Sequence, residues 1–264
     1  MKMSDLALSL GRIVVMLAAA YAIIAVLGHF YSLRAMFPRP APSYTMTPDY
    51  FHLTAPDGVK LAARHWETPG ASHTVLWFHG NGEDLGTVGD YIGEWQKLGL
   101  SVFAVDYRGY GGSGGSPTEG NVNADAALAL EWLKREKKLK PEQLIIFGYS
   151  LGSGPAVDLA VREEIAGLIL LAPFVSAYRV MTGVPLLPGD KFRNLSKMPR
   201  VRCPVLVIQG TDDGMIPVWH GRKIYEAAPG PKRSLWVEGA DHGDVSEVAG
   251  ERYWETIKSF AESL

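Results

Sequence analysis

The sequence predicts an α/β fold, a mostly parallel eight-stranded sheet with helices on both faces. Three observations predict it. Beyond residue 50, short apolar runs alternate with segments of helical period. Those runs are continuously apolar rather than alternating, as strands covered on both faces require. Glycine-bearing turns also fall just past several of them, where such a sheet binds its ligands. The 264 residues suit a single α/β domain, and the 47% hydrophobic and 20% charged content reads as globular.

The chain opens on a different kind of segment. Residues 13–28, IVVMLAAAYAIIAVLG, carry no charge, and between Arg12 and Arg34 the only ionisable side chains are His29 and two tyrosines. A membrane span needs about 20 mostly apolar residues, reached here when the stretch to Leu33 is counted. Residues 1–36 are therefore expected to be an uncleaved apolar helix that anchors the protein in a membrane. Two other readings stand beside it. A signal peptide would want a small-x-small site, and Val26-Leu27-Gly28-His29-Phe30 is a poor one. The third is an interfacial or partner-packing helix. Lys2 and Arg12 precede the segment while Arg34 and Arg39 follow it, so the side of the membrane is barely encoded. Residues 37–49, with Pro38-Arg39-Pro40-Ala41-Pro42, read as a stiff extended linker, and residues 50–264 as the α/β domain.

Within that domain, runs 51–54 and 61–66 flank Asp57-Gly58, a turn signal between two strands. Further strands are expected over 74–78, 101–105, 144–147, 168–171, 205–208 and 235–237. Helices are expected over 88–98, 124–138, 154–162, 219–227 and 247–264. Leu128, Trp132 and Leu133 mark the buried side of the second of these.

The chemistry-bearing residues follow the strands. Gly148-Tyr149-Ser150-Leu151-Gly152 joins a strand to a helix within a few residues, which presents Ser150 at a strained apex. The helix start beside it offers free N–H groups and positive dipole. Ser113, in Gly111-Gly112-Ser113-Gly114-Gly115, matches the same pattern but lies in a long loop away from a helix start. That loop also holds a G-x-G-x-x-G from Gly109 to Gly114; the dinucleotide fingerprint needs its glycines to open a helix, and Ser116-Pro117-Thr118 intervenes.

A serine hydroxyl needs a base, and the base an orienting acid. His242 follows the last expected strand and Asp213 the one before, in the chain order expected for such a sheet. The position after strand 168–171 holds Ala172-Pro173-Phe174 and no carboxylate. Asp213 is therefore the expected acid, with Asp212 its rival. Asn81, in His79-Gly80-Asn81-Gly82, and Leu151 are the expected backbone N–H donors to an oxyanion. His79 is expected to tie neighbouring loops together, and His52, His65, His73 and His220 to be structural or solvated.

Other chemistries find little support. Net charge is −2, from 26 Lys plus Arg against 28 Asp plus Glu, and there is no basic stripe, so nucleic acid is not an expected partner. The single cysteine, Cys203, excludes an intrachain disulfide and reads as a core residue. No phosphate loop is present, no His/Cys/Asp/Glu cluster has convincing metal-ligand spacing, and no cofactor is called for.

Taken in order, His79-Gly80-Asn81-Gly82, Asp106-Tyr107-Arg108-Gly109-Tyr110-Gly111, Gly148-Tyr149-Ser150-Leu151-Gly152 and the late Asp213 and His242 resemble the α/β-hydrolase superfamily. With the N-terminal apolar segment and Glu226-Ala227-Ala228-Pro229-Gly230-Pro231-Lys232, the chain is similar to its single-pass members, α/β-hydrolase domain-containing proteins 13 and 17. The resemblance implies serine-dependent hydrolysis of esters or thioesters, and for some eukaryotic relatives protein depalmitoylation. Those relatives carry an N-terminal cysteine-rich tract that this chain lacks, so that substrate is not carried over.

The segment 174–201 sits where a lid would be inserted and is short, so a small cap and an open site are expected. Phe174, Val175, Tyr178, Met181 and Leu186 are expected to contact the acyl part of a small ester or a lipid. Open access favours short acyl groups and membrane attachment favours lipophilic ones. A peptidase on the same side chains and a non-catalytic scaffold remain as alternatives.

Overall fold

The computed structural model describes residues 3–184 and 188–264. An N-terminal helix, α1 (Met3–Met36), leads into a single sheet whose strands and helices alternate: β1 (Tyr50–Thr54), β2 (Lys60–Trp66), β3 (His73–Phe78), α2 (Leu85–Lys97), β4 (Leu100–Val105), α3 (Glu119–Glu136), β5 (Leu144–Tyr149), α4 (Ser153–Arg162) and β6 (Gly167–Leu171). Two short helices follow, α5 (Ala177–Thr182) and α6 (Asn194–Lys197), then β7 (Val205–Gly210), α7 (Trp219–Ala227), β8 (Lys232–Val237), α8 (Val245–Ala249) and α9 (Glu251–Ala261).

The eight strands lie in the order β1-β2-β4-β3-β5-β6-β7-β8. The expected opening hairpin pairs Tyr50 with Arg64 through Thr54 with Lys60, and β2 also runs antiparallel to β4. From β4 onward the pairs are parallel. This is the α/β-hydrolase architecture. The central strands are apolar throughout because successive side chains enter two different cores. Leu76, Phe78 and Ile146 meet α3 and α4 on one face; Val75, Trp77, Ile145 and Phe147 meet α2 and α9 on the other.

Several boundaries differ from expectation, each for a local reason. Helix α3 starts at Glu119 rather than 124, because Thr118 caps it: its hydroxyl accepts from the Asn121 N–H and its own N–H donates to the Asn121 side chain. The last expected helix is two, broken at Gly250, whose φ of 56° leaves the helical region. Helix α2 begins at Leu85, three residues earlier than the sequence suggests, because Asp84 accepts from the Gly86 and Thr87 N–H groups.

The segment 37–49 is extended but not free. Phe37 is buried and packs edge-on against Phe192. The Ser43 N–H donates to Asp84 at 2.7 Å and the Tyr44 hydroxyl to Asp106 at 2.5 Å. Cys203 lies buried, where burial pushes its thiol up to about 12.

Candidate active site

Strand β5 ends at Tyr149, and a single 3-10 turn, residues 150–152, carries the backbone into α4. Ser150 adopts φ 51°, a left-handed conformation that a non-glycine residue holds only where its surroundings force it. The surroundings do. A Cβ at Gly148 would lie 2.6 Å from the Gly152 carbonyl oxygen and 2.7 Å from the Ala156 Cβ, and one at Gly152 would run into the Phe78 carbonyl at the end of β3. The two glycines let the turn close against its neighbours, and Ser150 is left as the residue that points out of it.

Beyond β8, the loop carrying His242 folds back over this apex. His242 Nε2 lies 3.1 Å from the Ser150 hydroxyl, and His242 Nδ1 lies 2.9 Å from Asp213 Oδ2. Asp213 is buried in the turn after β7. Its Oδ1 accepts from the Met215 and Ile216 N–H groups at 3.0 and 2.6 Å, and its Oδ2 also accepts from the Gln209 side chain at 3.3 Å. The neighbouring Asp212 points to the surface, where it accepts from the Thr211 hydroxyl. Sequence spacing left these two aspartates as rivals, and the turn separates them: one faces His242, the other faces solvent.

His242 has a further support that sequence reasoning missed. The Tyr149 ring stacks on the imidazole with centroids 5.3 Å apart, and its hydroxyl donates to the His242 carbonyl at 3.2 Å. The G-x-S-x-G pattern leaves its second residue open, so no signal marked Tyr149. Glu83 lies behind the same site and accepts from the Gly80 N–H at 2.7 Å, holding the loop that carries Asn81; burial raises its carboxyl above the usual range.

His79 is fully buried. Its Nδ1 lies 2.8 Å from the Gly80 carbonyl, its ring packs on Tyr107, and burial pulls it down to about 4. The other G-x-S-x-G serine, Ser113, spends its hydroxyl in the loop, donating to the Asp106 carbonyl and accepting from the Ala62 N–H.

A cavity of about 410 Å³ opens at Ser150, a size typical of small-molecule sites. Asn81 and Leu151 line it beside Ser150. Among the expected acyl contacts, Phe174, Tyr178 and Met181 line it too. Val175 does not: it is buried in the body, and its N–H donates to His220 Nδ1 at 3.2 Å. Leu186 lies outside the described residues. Three groups of lining residues were missed. Met215 and Ile216 come from the Asp213 turn, Ala177 and Thr182 from α5 and Gly28, Tyr31, Ser32, Ala35 and Met36 from α1. No charged side chain lines the cavity, and no cluster of His, Cys, Asp or Glu that could hold a metal ion occurs among the described residues.

Chemically, the line from Asp213 through His242 to Ser150 can move a proton off a hydroxyl and stabilise the resulting imidazolium. The apolar cavity beside it can take an uncharged carbon chain.

The chain is similar to several known proteins. A family model described as "Serine aminopeptidase, S33" matches residues 70–196. The α/β hydrolase domain-containing protein aho-3 of Caenorhabditis elegans is 43% identical over 200 residues, 73% of this chain and 58% of that protein's length. Protein 17B of the same series, from Homo sapiens, is 41% identical over 196 residues, 73% of this chain and 67% of that one. Among solved structures, an esterase from Pyrococcus furiosus superposes with TM-score 0.71 at 22% identity, over 85% of this chain and 96% of that one. An esterase from Exiguobacterium antarcticum does so with TM-score 0.62 at 17% identity, over 80% and 98%.

Proposed function

The chain belongs to the α/β-hydrolase family, and from that premise we propose that it is a membrane-anchored serine hydrolase that cleaves carboxylic esters or thioesters through Ser150, His242 and Asp213. The observation that carries this reading is the position of His242, within hydrogen-bond distance of Ser150 on one nitrogen and of Asp213 on the other.

Ser150 Oγ attacks the acyl carbonyl as its proton passes to His242 Nε2. Asp213 fixes the tautomer that leaves Nε2 free to accept and stabilises the imidazolium. The oxyanion of the tetrahedral intermediate lies against the backbone N–H groups of Asn81 and Leu151. His242 returns its proton to the leaving alcohol or thiol, giving an acyl-enzyme. Water, deprotonated by His242, then attacks the acyl-enzyme and releases the carboxylic acid and Ser150. The backbone tension at Ser150, φ 51°, holds the nucleophile in place before substrate arrives.

In this reading residues 1–36 are the anchor, 37–49 the connection and 50–264 the catalytic domain. Support for the anchor comes from the helix stretch Ser9–Met36, long and apolar enough to cross a membrane. A peptidase on the same side chains has the description of the matching family model in its favour. Against it stands the uncharged cavity lining: an aminopeptidase must pair the substrate ammonium, and a buried cation without a counter-charge is costly.

The test is labelling by a fluorophosphonate together with hydrolysis of p-nitrophenyl esters and aminoacyl amides. Wild type is expected to be labelled and to cleave esters, and Ser150→Ala to lose labelling and to fall by on the order of 10⁶ in kcat. Equal labelling of Ser150→Ala would point to another nucleophile. Preference for aminoacyl amides would replace the esterase reading by the peptidase one.

A further inference from the structure

Helix α1 has two parts. Residues 9–24 are exposed on every side, whereas Ala25, Gly28, His29, Ser32 and Met36 are half-buried. Their spacing of three, four, seven and eleven residues from Ala25 is that of one helix face. That face lies on the catalytic body. His29 Nδ1 is 3.2 Å from the Tyr178 hydroxyl on α5, and the Asn81 side chain donates to the Ala35 carbonyl at 3.3 Å. Between these two contacts, α1 forms part of the wall of the cavity that opens at Ser150, together with α5 and the Met215-Ile216 turn. The α1 residues facing the space include Gly28, Ser32 and Ala35, which are small, so the cavity's room depends on what they lack. Among the described residues the lining is mostly apolar and carries no charge.

We propose that the last turns of α1, Gly28 to Met36, are the wall along which the acyl chain of the substrate lies. The N-terminal helix is thus a chain-length-selecting part of the active site as well as an attachment. The inference rests on the serine-hydrolase reading and adds to it. An acyl chain leaving the Ser150 carbonyl position has an uncharged channel to enter, and its far end meets α1. A larger side chain on α1 shortens that channel; a smaller one lengthens it. One methylene in an apolar pocket changes selectivity by about tenfold or more. The latch between His29 and Tyr178 joins the two walls, so both belong to one pocket.

The test uses the full-length protein in detergent and reads the ratio of kcat/KM for p-nitrophenyl palmitate to that for p-nitrophenyl acetate. Gly28→Leu and Ser32→Leu are expected to lower the ratio by about tenfold or more, and Tyr31→Ala to raise it. Both leucine variants replace a weaker helix former by a stronger one, so helix formation is not what they impair. Val26→Leu, on the same helix but outside the cavity lining, is expected to leave the ratio unchanged. A second measurement needs no variant. Wild type is reacted with a fluorophosphonate whose alkyl chain carries a diazirine, then irradiated, and the crosslinked peptide is identified by mass spectrometry. Crosslinks to residues 28–36 are expected.

An unchanged ratio in Gly28→Leu and Ser32→Leu overturns the inference while leaving the hydrolase reading in place, as do crosslinks confined to residues outside α1. Wild type that neither reacts with the fluorophosphonate nor cleaves any ester removes the hydrolase reading, and this inference with it.

Discussion

Asp212 and Asp213 differ by one position in the chain and by everything that matters to acid–base chemistry. The turn after β7 buries one carboxylate under two backbone N–H groups and exposes the other. Asp213→Asn presents an amide to His242 Nδ1 and favours the wrong tautomer; kcat is expected to drop by about 10⁴, whereas Asp212→Asn is expected to stay near wild type, both read by p-nitrophenyl ester kinetics. The buried histidines make a second prediction. Burial pulls both His79 and His220 down to about 4. The unfolded chain therefore takes up protons at these sites first, so stability is full above about pH 6.5 and is lost as pH falls toward 4. His220→Asn keeps an acceptor for the Val175 N–H and removes one titrating ring. Urea unfolding across this window is expected to show a shallower loss of stability on acidification in that variant.

At the scale of elements, the loop between β4 and α3 is held by an ion pair rather than by regular structure. Arg108 makes two bonds to Asp125 on α3, at 2.7 and 2.9 Å, and both side chains are buried. Asp57, in the turn of the opening hairpin, pairs with the same guanidinium but is more than half exposed. Removing the buried partner leaves the guanidinium only the exposed Asp57; Asp125→Ala is expected to lower the free energy of unfolding by about 2–3 kcal/mol. Asp57→Ala is expected to cost about 1 kcal/mol or less, both measured by chemical denaturation. The sequence displayed each strand because continuous apolar runs are a local signal. It misplaced the start of α3 and the break before α9 because caps and glycine kinks are single-residue events. Thr118 and Gly250 each decide a boundary against the surrounding helical period.

At the scale of the whole molecule, α1 presents exposed apolar side chains along much of its described length. Val14, Val15, Met16, Leu17, Ile23 and Leu27 are all exposed. Contiguous apolar surface of that kind marks a site of association, and the length fits a bilayer. The protein is expected to stay in the membrane fraction after alkaline carbonate washing. Leu17→Lys, costing about 3 kcal/mol at the middle of a span, is expected to release a measurable share into the soluble fraction. Because Phe37, Ser43 and Tyr44 are docked, the segment 37–49 is held by packing and hydrogen bonds and not by linker stiffness alone.

The sequence by itself determined the alternation of strands and helices, and with it the sheet. It also determined the sharp turn at Ser150, because glycines at 148 and 152 and the strand–helix junction act within a few residues. Two things were decided only by tertiary structure: that Tyr149 backs the imidazole, and that α1 forms part of the wall of the cavity at Ser150. The reason is separation along the chain. His29 meets Tyr178 across 149 positions, and Ala35 meets Asn81 across 46. No periodicity or spacing records such meetings; they arise when the sheet brings strand ends to one edge and a helix from the far end of the chain packs down on them.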